Sequence, residues 1–160
     1  MSKKECSKKQ ENTIAEFLGW DVVSGSGSRP NMPGDVTGES WLGECKTHVE
    51  PGHRIVFNFS TWNKIEDEAS SRFKFAAYFV DDGSQTISKT WVMFTSAFLD
   101  NCKIANYPYP LRKTLSFSSD TMFADMESRK SSEDDLIVYQ ILNPKKILYL
   151  TNLQTFEKLI

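Results

Sequence analysis

Residue types that can support metal-assisted chemistry lie close together near the end of the first third of the chain. Asp35 is followed, after eight intervening residues, by the run Glu44-Cys45-Lys46. Because side chains alternate faces along a strand, Glu44 and Lys46 are predicted to share one face, with Cα atoms roughly 7 Å apart. A turn predicted at Gly38 would return the chain as a hairpin and bring Asp35 beside Glu44.

Two converging carboxylates, from Asp35 and Glu44, predict a site for Mg²⁺, which prefers oxygen ligands, and Mn²⁺ can substitute for it. The backbone carbonyl of Cys45 is a further candidate ligand. Lys46 would then lie near a metal-bound water or a scissile phosphate. There its charge can help lower the pKa of the water or stabilise the transition state.

A third carboxylate precedes this segment. Residues 11–19 are predicted to form a short amphipathic helix whose apolar stripe is formed by Ile14, Phe17 and Leu18. Glu11 projects from the same stripe, and burying an unpaired carboxylate is costly. We therefore expect Glu11 to have a partner in the site.

The loops around the motif contain candidate phosphate-binding groups. A strand predicted over residues 20–23 runs into the small, polar segment 24–28, which can adopt unusual backbone angles. The hydroxyls and amides of Ser26 and Ser28 can contact phosphate, and the guanidinium groups of Arg29 and Arg54 are further candidates. His48 and His53 follow the predicted strand that contains Glu44 and Lys46, and they are interpreted as solvated loop residues.

The remaining elements predict the fold class. The strand that contains Glu44 and Lys46 is predicted over residues 41–47. Further strands are predicted over residues 55–59, 75–80, 90–94, 136–142 and 147–150. Helices are predicted from a cap at Ser60 or Thr61 to about Arg72, over residues 120–129, and after a cap at Thr151. This order indicates an α/β fold with a mixed central sheet flanked by helices. The 160 residues fit one domain, with a basic N-terminal arm over 1–10, a core over 11–95 and a C-terminal extension over 96–160.

Composition excludes several classes of protein. Hydrophobic residues make up 39% and charged residues 25%, which is typical of globular proteins, and no apolar run is long enough to span a bilayer. The three cysteines form no Cys-x-x-Cys pair, so neither a disulfide framework nor a zinc site is predicted. With a charged N-terminus, this predicts a cytoplasmic protein. The net charge of −2 argues mildly against a nucleic-acid partner, although a bound cation would offset clustered carboxylates.

This arrangement resembles the PD-(D/E)XK nuclease superfamily, and most of all its Holliday-junction resolvase and phage nuclease branch. The matching features run from Glu11 through the serine- and glycine-rich loop and Asp35 to Glu44 and Lys46. The resemblance implies a restriction-endonuclease-like sheet and a Mg²⁺-dependent endonuclease that acts on DNA, including four-way junctions. It also implies a homodimer, the host cytoplasm if the chain is phage-encoded, and a polar residue on the following helix, for which Lys64 is the candidate. The family's Pro-Asp is Gly34-Asp35 here, and the interval to Glu-x-Lys is short for a resolvase.

Other interpretations stay open at this point. The motif alone also fits a solvated Glu–Lys pair on a surface strand. Glu11, the Ser-Gly loop and the strand-helix-strand order that follows favour the nuclease. Within the superfamily, a restriction-like or recombination nuclease is the alternative enzyme. A non-catalytic module on the same fold would bind DNA or protein without cleaving DNA. Residues 101–160 can also form a partner-binding surface, and the aromatic segment Tyr107–Pro110 is its first candidate.

Overall fold

The computed structural model describes residues 1–23, 34–95, 99–107, 113–142 and 146–160. Within them the chain forms four α-helices, one short 3-10 helix (Ile87–Lys89) and ten strands. The helices are α1 (Lys3–Leu18), α2 (Phe59–Ser70), α3 (Ser119–Ser128) and α4 (Leu153–Leu159). The strands are β1 (Asp21–Val22), β2 (Val36–Thr37), β3 (Trp41–Lys46), β4 (Ile55–Asn58), β5 (Phe75–Asp81), β6 (Thr90–Phe94), β7 (Lys103–Tyr107), β8 (Thr114–Phe117), β9 (Ile137–Leu142) and β10 (Ile147–Asn152).

Eight of these strands form one mixed sheet in the order β1-β2-β3-β5-β6-β10-β9-β7, and β4 pairs with β8 in a separate two-stranded sheet. The pairs β3–β5 and β7–β9 are parallel, whereas the other neighbours are antiparallel. Parallel neighbours need a crossover connection, and α2 provides it between β3 and β5. The predicted α/β class with a mixed central sheet is confirmed.

Each face of the sheet buries a separate core. Alternation along β3 sends Leu42 towards α2, where it packs with Trp62, Ile65 and Tyr78. On the opposite face, Cys45 packs in a second core with Ile14 of α1, Phe79 of β5 and Phe156 of α4. Strand β3 is therefore covered on both sides.

The first helix begins earlier than predicted. Helix α1 starts at Lys3, so the basic segment predicted as an arm belongs to its first turns. The cap is Ser2, whose hydroxyl accepts a hydrogen bond from the Glu5 backbone N–H while the Glu5 carboxylate accepts one from the Ser2 backbone N–H. This Ser-x-x-Glu capping box is visible in the sequence, but the predicted helix started at Glu11, where the apolar stripe becomes dense.

Most later elements agree with the prediction. The strands predicted at 41–47, 75–80, 90–94, 136–142 and 147–150 correspond to β3, β5, β6, β9 and β10. The N-cap of α2 is Asn58, two or three residues before the predicted cap, and the N-cap of α4 is Asn152, one residue after the predicted cap. Strands β7 and β8 were not predicted: β7 shows no clear apolar alternation, and the alternation in β8 covers only four residues.

Within the described ranges, none of the helices has both the length and the apolar character that crossing a membrane requires.

Candidate active site

A short antiparallel hairpin places Asp35 next to β3. In this hairpin Val36 pairs with Gly43. The Asp35 backbone N–H donates to the Gly43 carbonyl at 2.8 Å. The Asp35 carboxylate in turn accepts a hydrogen bond at 2.8 Å from the backbone N–H of Cys45. Asp35 is thus held beside Glu44, as the hairpin prediction requires.

Two glycines permit this approach. Gly34 has φ +73°, in the left-handed region, and a Cβ there would lie 2.5 Å from the Leu42 side chain. Proline cannot adopt this φ. The backbone conformation at residue 34 therefore requires glycine. The motif that the sequence resembles has proline at this position. A Cβ on Gly43 would lie 2.7 Å from Val36 and 2.8 Å from Phe79, so a side chain there would push the hairpin away from β5.

Glu44 and Lys46 form an ion pair with a 3.0 Å separation between Nζ and Oε1. The Glu44 side chain is 16% exposed and that of Lys46 is 53% exposed. Burial, followed by the charge of Asp35, raises the pKa of Glu44, while Lys46 acts in the opposite direction. For Lys46, burial acts to lower the pKa, but Glu44 and Asp35 more than offset it and raise the pKa above its ordinary value. The neighbouring carboxylates thus favour the protonated form of Lys46, which can offset negative charge.

Glu11 approaches the site from the other face of the sheet. Helix α1 packs against the Cys45 face, whereas Glu44 and Lys46 lie on the α2 face. Glu11 nevertheless lies close enough to interact electrostatically with both acidic residues. Burial, then Asp35 and Glu44, raise its pKa to about 7, and Lys46 opposes the shift. The charges of Asp35, Glu44 and Lys46 at the end of β3 thus act on Glu11, although Glu11 approaches from the opposite face of the sheet.

The oxygen atoms of Asp35, Glu44 and Glu11 are of the chemical type that a hard cation prefers. Among the residues that the structure describes, no three or more His, Cys, Asp or Glu side chains are arranged to hold a metal ion by themselves. Magnesium, however, is commonly held by one or two carboxylates together with waters and substrate phosphates. Burial first, and then the negative charge of Asp35, raises the pKa values of Glu11 and Glu44, and a cation would relieve the part that is due to negative charge. The Cys45 thiol is not a suitable ligand, because burial raises its pKa well above the usual range, so only its carbonyl is a candidate.

The predicted DNA-binding residues have different positions. Lys64 lies on α2, and its charge acts to lower the pKa of Glu44, so it is near the site. Its side chain is 72% exposed and pairs loosely with Glu68 at 3.8 Å. Arg54 is bound instead to β8, where its guanidinium donates to the Ser116 hydroxyl at 3.0 Å and to the Ser116 carbonyl at 3.3 Å. Ser26, Ser28 and Arg29 lie outside the described residues.

Gln10 is a site residue that the sequence analysis did not predict. Its side chain is 1% exposed, and its amide nitrogen donates to the Lys46 carbonyl at 2.7 Å. Its amide oxygen is buried and has no hydrogen-bond partner among the described residues. Gln10 thus joins α1 to the end of β3, immediately beside Glu11. Its position four residues before Ile14 on the apolar stripe was the available signal.

Tyr78 is a second such residue. The parallel register places it directly opposite Glu44. Its hydroxyl accepts a hydrogen bond from the Asn58 backbone N–H at 3.4 Å. Burial raises the pKa of the Tyr78 hydroxyl, while the charges of Lys46 and Glu44 act on it in opposite directions. No local pattern could have predicted this neighbour, because the pairing of β3 with β5 is not a local property.

The segment that follows β3 is held by Gln85. The Gln85 side chain donates to the Thr47 hydroxyl at 3.1 Å and to the His48 carbonyl at 2.9 Å. His48 and His53 stack with ring centroids 4.0 Å apart, and both are exposed, as the solvated-loop interpretation expects. Neither histidine contributes to the pKa shifts of Glu11, Glu44 or Lys46.

Comparisons with models of protein families, with curated proteins and with solved structures found no match to this chain.

Proposed function

We propose that this chain is a metal-dependent endodeoxyribonuclease of the PD-(D/E)XK type. The observation that carries the proposal is the convergence of Asp35, Glu44 and Glu11 with a protonated Lys46 at one strand end. Carboxylates whose pKa values are raised by burial and by a neighbouring carboxylate, beside a positive charge, are typical of a site built for a cation and a phosphate. A solvated surface Glu–Lys pair would not have a carboxylate that is 16% exposed.

Each residue has a separate role in this proposal. Asp35, Glu44 and the Cys45 carbonyl would hold Mg²⁺ or Mn²⁺, with Glu11 assisting. When bound, the ion supplies Lewis acidity that activates a water molecule for attack on phosphorus. Lys46, protonated at Nζ, offsets the negative charge that develops on the phosphate oxygens. The Asp35 carboxylate keeps its orientation because the Cys45 N–H binds one of its oxygens.

The DNA substrate belongs to the same proposal. The exposed Lys64 on α2 would contact a phosphate beside the scissile bond. A preference for branched DNA and a homodimer that cuts two strands rest on the sequence resemblance. Static light scattering that reports a monomer at micromolar concentration, with and without DNA, would contradict the dimer.

The test is cleavage of a labelled four-way junction and a matched linear duplex in Mg²⁺ or Mn²⁺. We expect Asp35→Asn and Lys46→Ala each to lower the cleavage rate by about 10²-fold or more, since the first removes a charge that would hold the metal ion and the second a charge that would act on the phosphate. DNA binding in Ca²⁺ should persist. Asp67→Asn and Lys158→Ala are matched controls on exposed positions outside the site and should cleave like wild type.

The outcomes separate the alternatives. Preferential cutting of the junction favours a resolvase, and preferential cutting of the duplex favours another nuclease of the superfamily. DNA binding without cleavage in any divalent metal, with variants and wild type indistinguishable, would overturn the enzyme assignment and leave a binding module.

A further inference from the structure

A cavity of about 450 Å³ lies at the opposite end of β3 from the candidate active site. It opens where β3 and β5 begin, between the last turn of α1 and the end of α4. Its volume is in the range of small-ligand sites. Its lining includes three aromatic rings, from Trp20, Trp41 and Phe75, and two acidic residues, Glu39 and Glu157.

The aromatic wall is fixed in place before any ligand arrives. Trp20 stacks on Trp41 with centroids 6.0 Å apart and an interplanar angle of 26°, and Phe75 lies 4.8 Å from Trp41. Trp41 is 5% exposed and anchors the group, while Trp20 and Phe75 are partly exposed. Trp20 also packs edge-on against Phe79 at 5.8 Å. The rings therefore need no ordering to form a binding surface.

The charged residues that line the cavity are both acidic. Glu39 comes from the β2–β3 turn and Glu157 from α4, and both side chains are exposed. The lining contains no lysine, arginine or histidine. Within the described part of the chain neither carboxylate forms an ion pair. Two carboxylates beside aromatic faces complement an organic cation and disfavour a phosphate.

One ring of the wall already accepts a cation from the chain itself. The Lys74 ammonium lies 5.3 Å from the centroid of the Phe75 ring. Lys74 does not line the cavity. The electrostatic attraction between an ammonium and this aromatic surface is thus present in the folded chain.

We propose that this cavity binds an organic cation, a guanidinium or alkylammonium group that lies against the aromatic wall and pairs with Glu39 and Glu157. A guanidinium suits the site well, because its plane stacks on rings while its N–H groups bind carboxylates. An arginine side chain of a partner protein and a free polyamine carry this chemistry. The proposal does not depend on the nuclease assignment, because no residue is shared with the site at Glu44 and Lys46.

The experiment is a titration of the full chain followed by the indole N–H signals in two-dimensional NMR. The probes are N-acetyl-argininamide, spermidine, the neutral analogue N-acetyl-glutaminamide and dAMP. We expect saturable shifts of the Trp20 signal with at least one cation, and none with the neutral analogue or the nucleotide. The tighter of the two cations identifies the source, an arginine side chain or a polyamine.

The double variant Glu39→Gln with Glu157→Gln should raise the Kd by about tenfold, because it removes both carboxylates while keeping the shape of the wall. Glu16→Gln, a matched change at an exposed position outside the cavity, should bind like wild type. Both variants alter exposed side chains, and equal melting temperatures will verify folding. No saturable binding of either cation, equal binding of the neutral analogue, binding of dAMP in place of the cations, or an unchanged Kd in the double variant would each overturn the proposal.

Discussion

The two ends of strand β3 both carry carboxylates, but they differ in how far these carboxylates are buried and in whether a cation accompanies them. At the Lys46 end, three carboxylates are half-buried, and a lysine offsets them with an ion pair at 3.0 Å. At the Trp41 end, about 17 Å away for five strand residues, two carboxylates are exposed beside aromatic rings and have no cationic neighbour in the cavity lining.

This difference in burial shows which carboxylates need a counter-charge from the chain itself. Burying the Glu44 carboxylate is costly, so its counter-charge is supplied by the same strand, two residues later. Glu39 and Glu157 remain in water, where an unpaired carboxylate costs little, and an external cation can serve as the partner. The Lys46 end thus has charges of both signs that can act on a phosphate, whereas the charged residues in the cavity lining at the Trp41 end are both acidic.

The largest contrast is expected from neutralising one carboxylate at each end. Glu44→Gln should lower the cleavage rate by about 10²-fold or more. It should also abolish the rise in melting temperature that Mg²⁺ or Mn²⁺ produces in wild type by binding the folded state. Glu157→Gln should retain both the cleavage and the metal-dependent rise. Equal losses in the two variants, measured by cleavage assay and calorimetry, would contradict the separation of the two ends.

A smaller loss of activity is expected when the contact between α1 and β3 is removed. Gln10→Met keeps the side-chain volume but removes the donor to the Lys46 carbonyl. It also removes the buried oxygen that has no partner, so the two effects on the free energy of unfolding oppose each other and leave a net change within about 1 kcal/mol. The cleavage rate should fall by about tenfold, because losing this contact would displace Lys46, and even a small displacement of a group that acts on the substrate slows the reaction.

The readout for Gln10→Met is kcat against KM in steady-state cleavage, together with urea unfolding. A purely structural role would lower stability and leave kcat unchanged, which would contradict the assignment of Gln10 as a positioning residue. Gln154→Met, at an exposed position on α4, is the matched control and should change neither quantity.

The charge of Glu11 predicts a dependence of stability on pH when no metal is present. The folded protein raises the pKa of Glu11 from 4.5 to about 7. The folded state therefore holds a proton that the unfolded state releases, and stability falls as the pH rises between those values. Glu11→Gln cannot ionise and avoids this loss.

At pH 8 in EDTA we expect Glu11→Gln to be more stable than wild type by about 1–2 kcal/mol, a figure reduced for the partial exposure of the group. The gain should vanish below pH 4.5, where both states of wild type are protonated. Urea unfolding across this pH range measures it, and Glu16→Gln on the exposed side of α1 is the control. A stability difference that does not vary with pH would show that the raised pKa of Glu11, which results from burial and then from Asp35 and Glu44, is not the cause.

The smallest effect is expected from the residue opposite Glu44. Tyr78→Phe removes the acceptor of a long hydrogen bond from the Asn58 N–H, at 3.4 Å, so the free energy of unfolding should change by about 1 kcal/mol or less. Cleavage should fall by only a few-fold, since Lys46 keeps its pair with Glu44. A loss as large as that of Glu44→Gln in the same cleavage assay would place Tyr78 among the groups that contact the substrate.

Several features of this molecule could be predicted because they depend on residues close in sequence. Alternation along β3 put Glu44 and Lys46 on one face, and the turn at Gly38 returned the chain so that Asp35 meets them. The α/β class followed from the order of the periodic segments. The early start of α1 was equally local, since the Ser2–Glu5 capping box is present in the sequence.

Other features required the tertiary structure. The pairing of β3 with β5 places Tyr78 opposite Glu44, and the pairing of β4 with β8 gives Arg54 a partner in Ser116. The hydrogen bond from Gln10 to Lys46 and the cavity around Trp20 likewise join residues far apart in the chain. The physical reason is that local periodicity determines which face a side chain occupies. Strand order and register depend on contacts between segments far apart in the chain, because the favoured arrangement is the one that leaves the least apolar surface exposed to water.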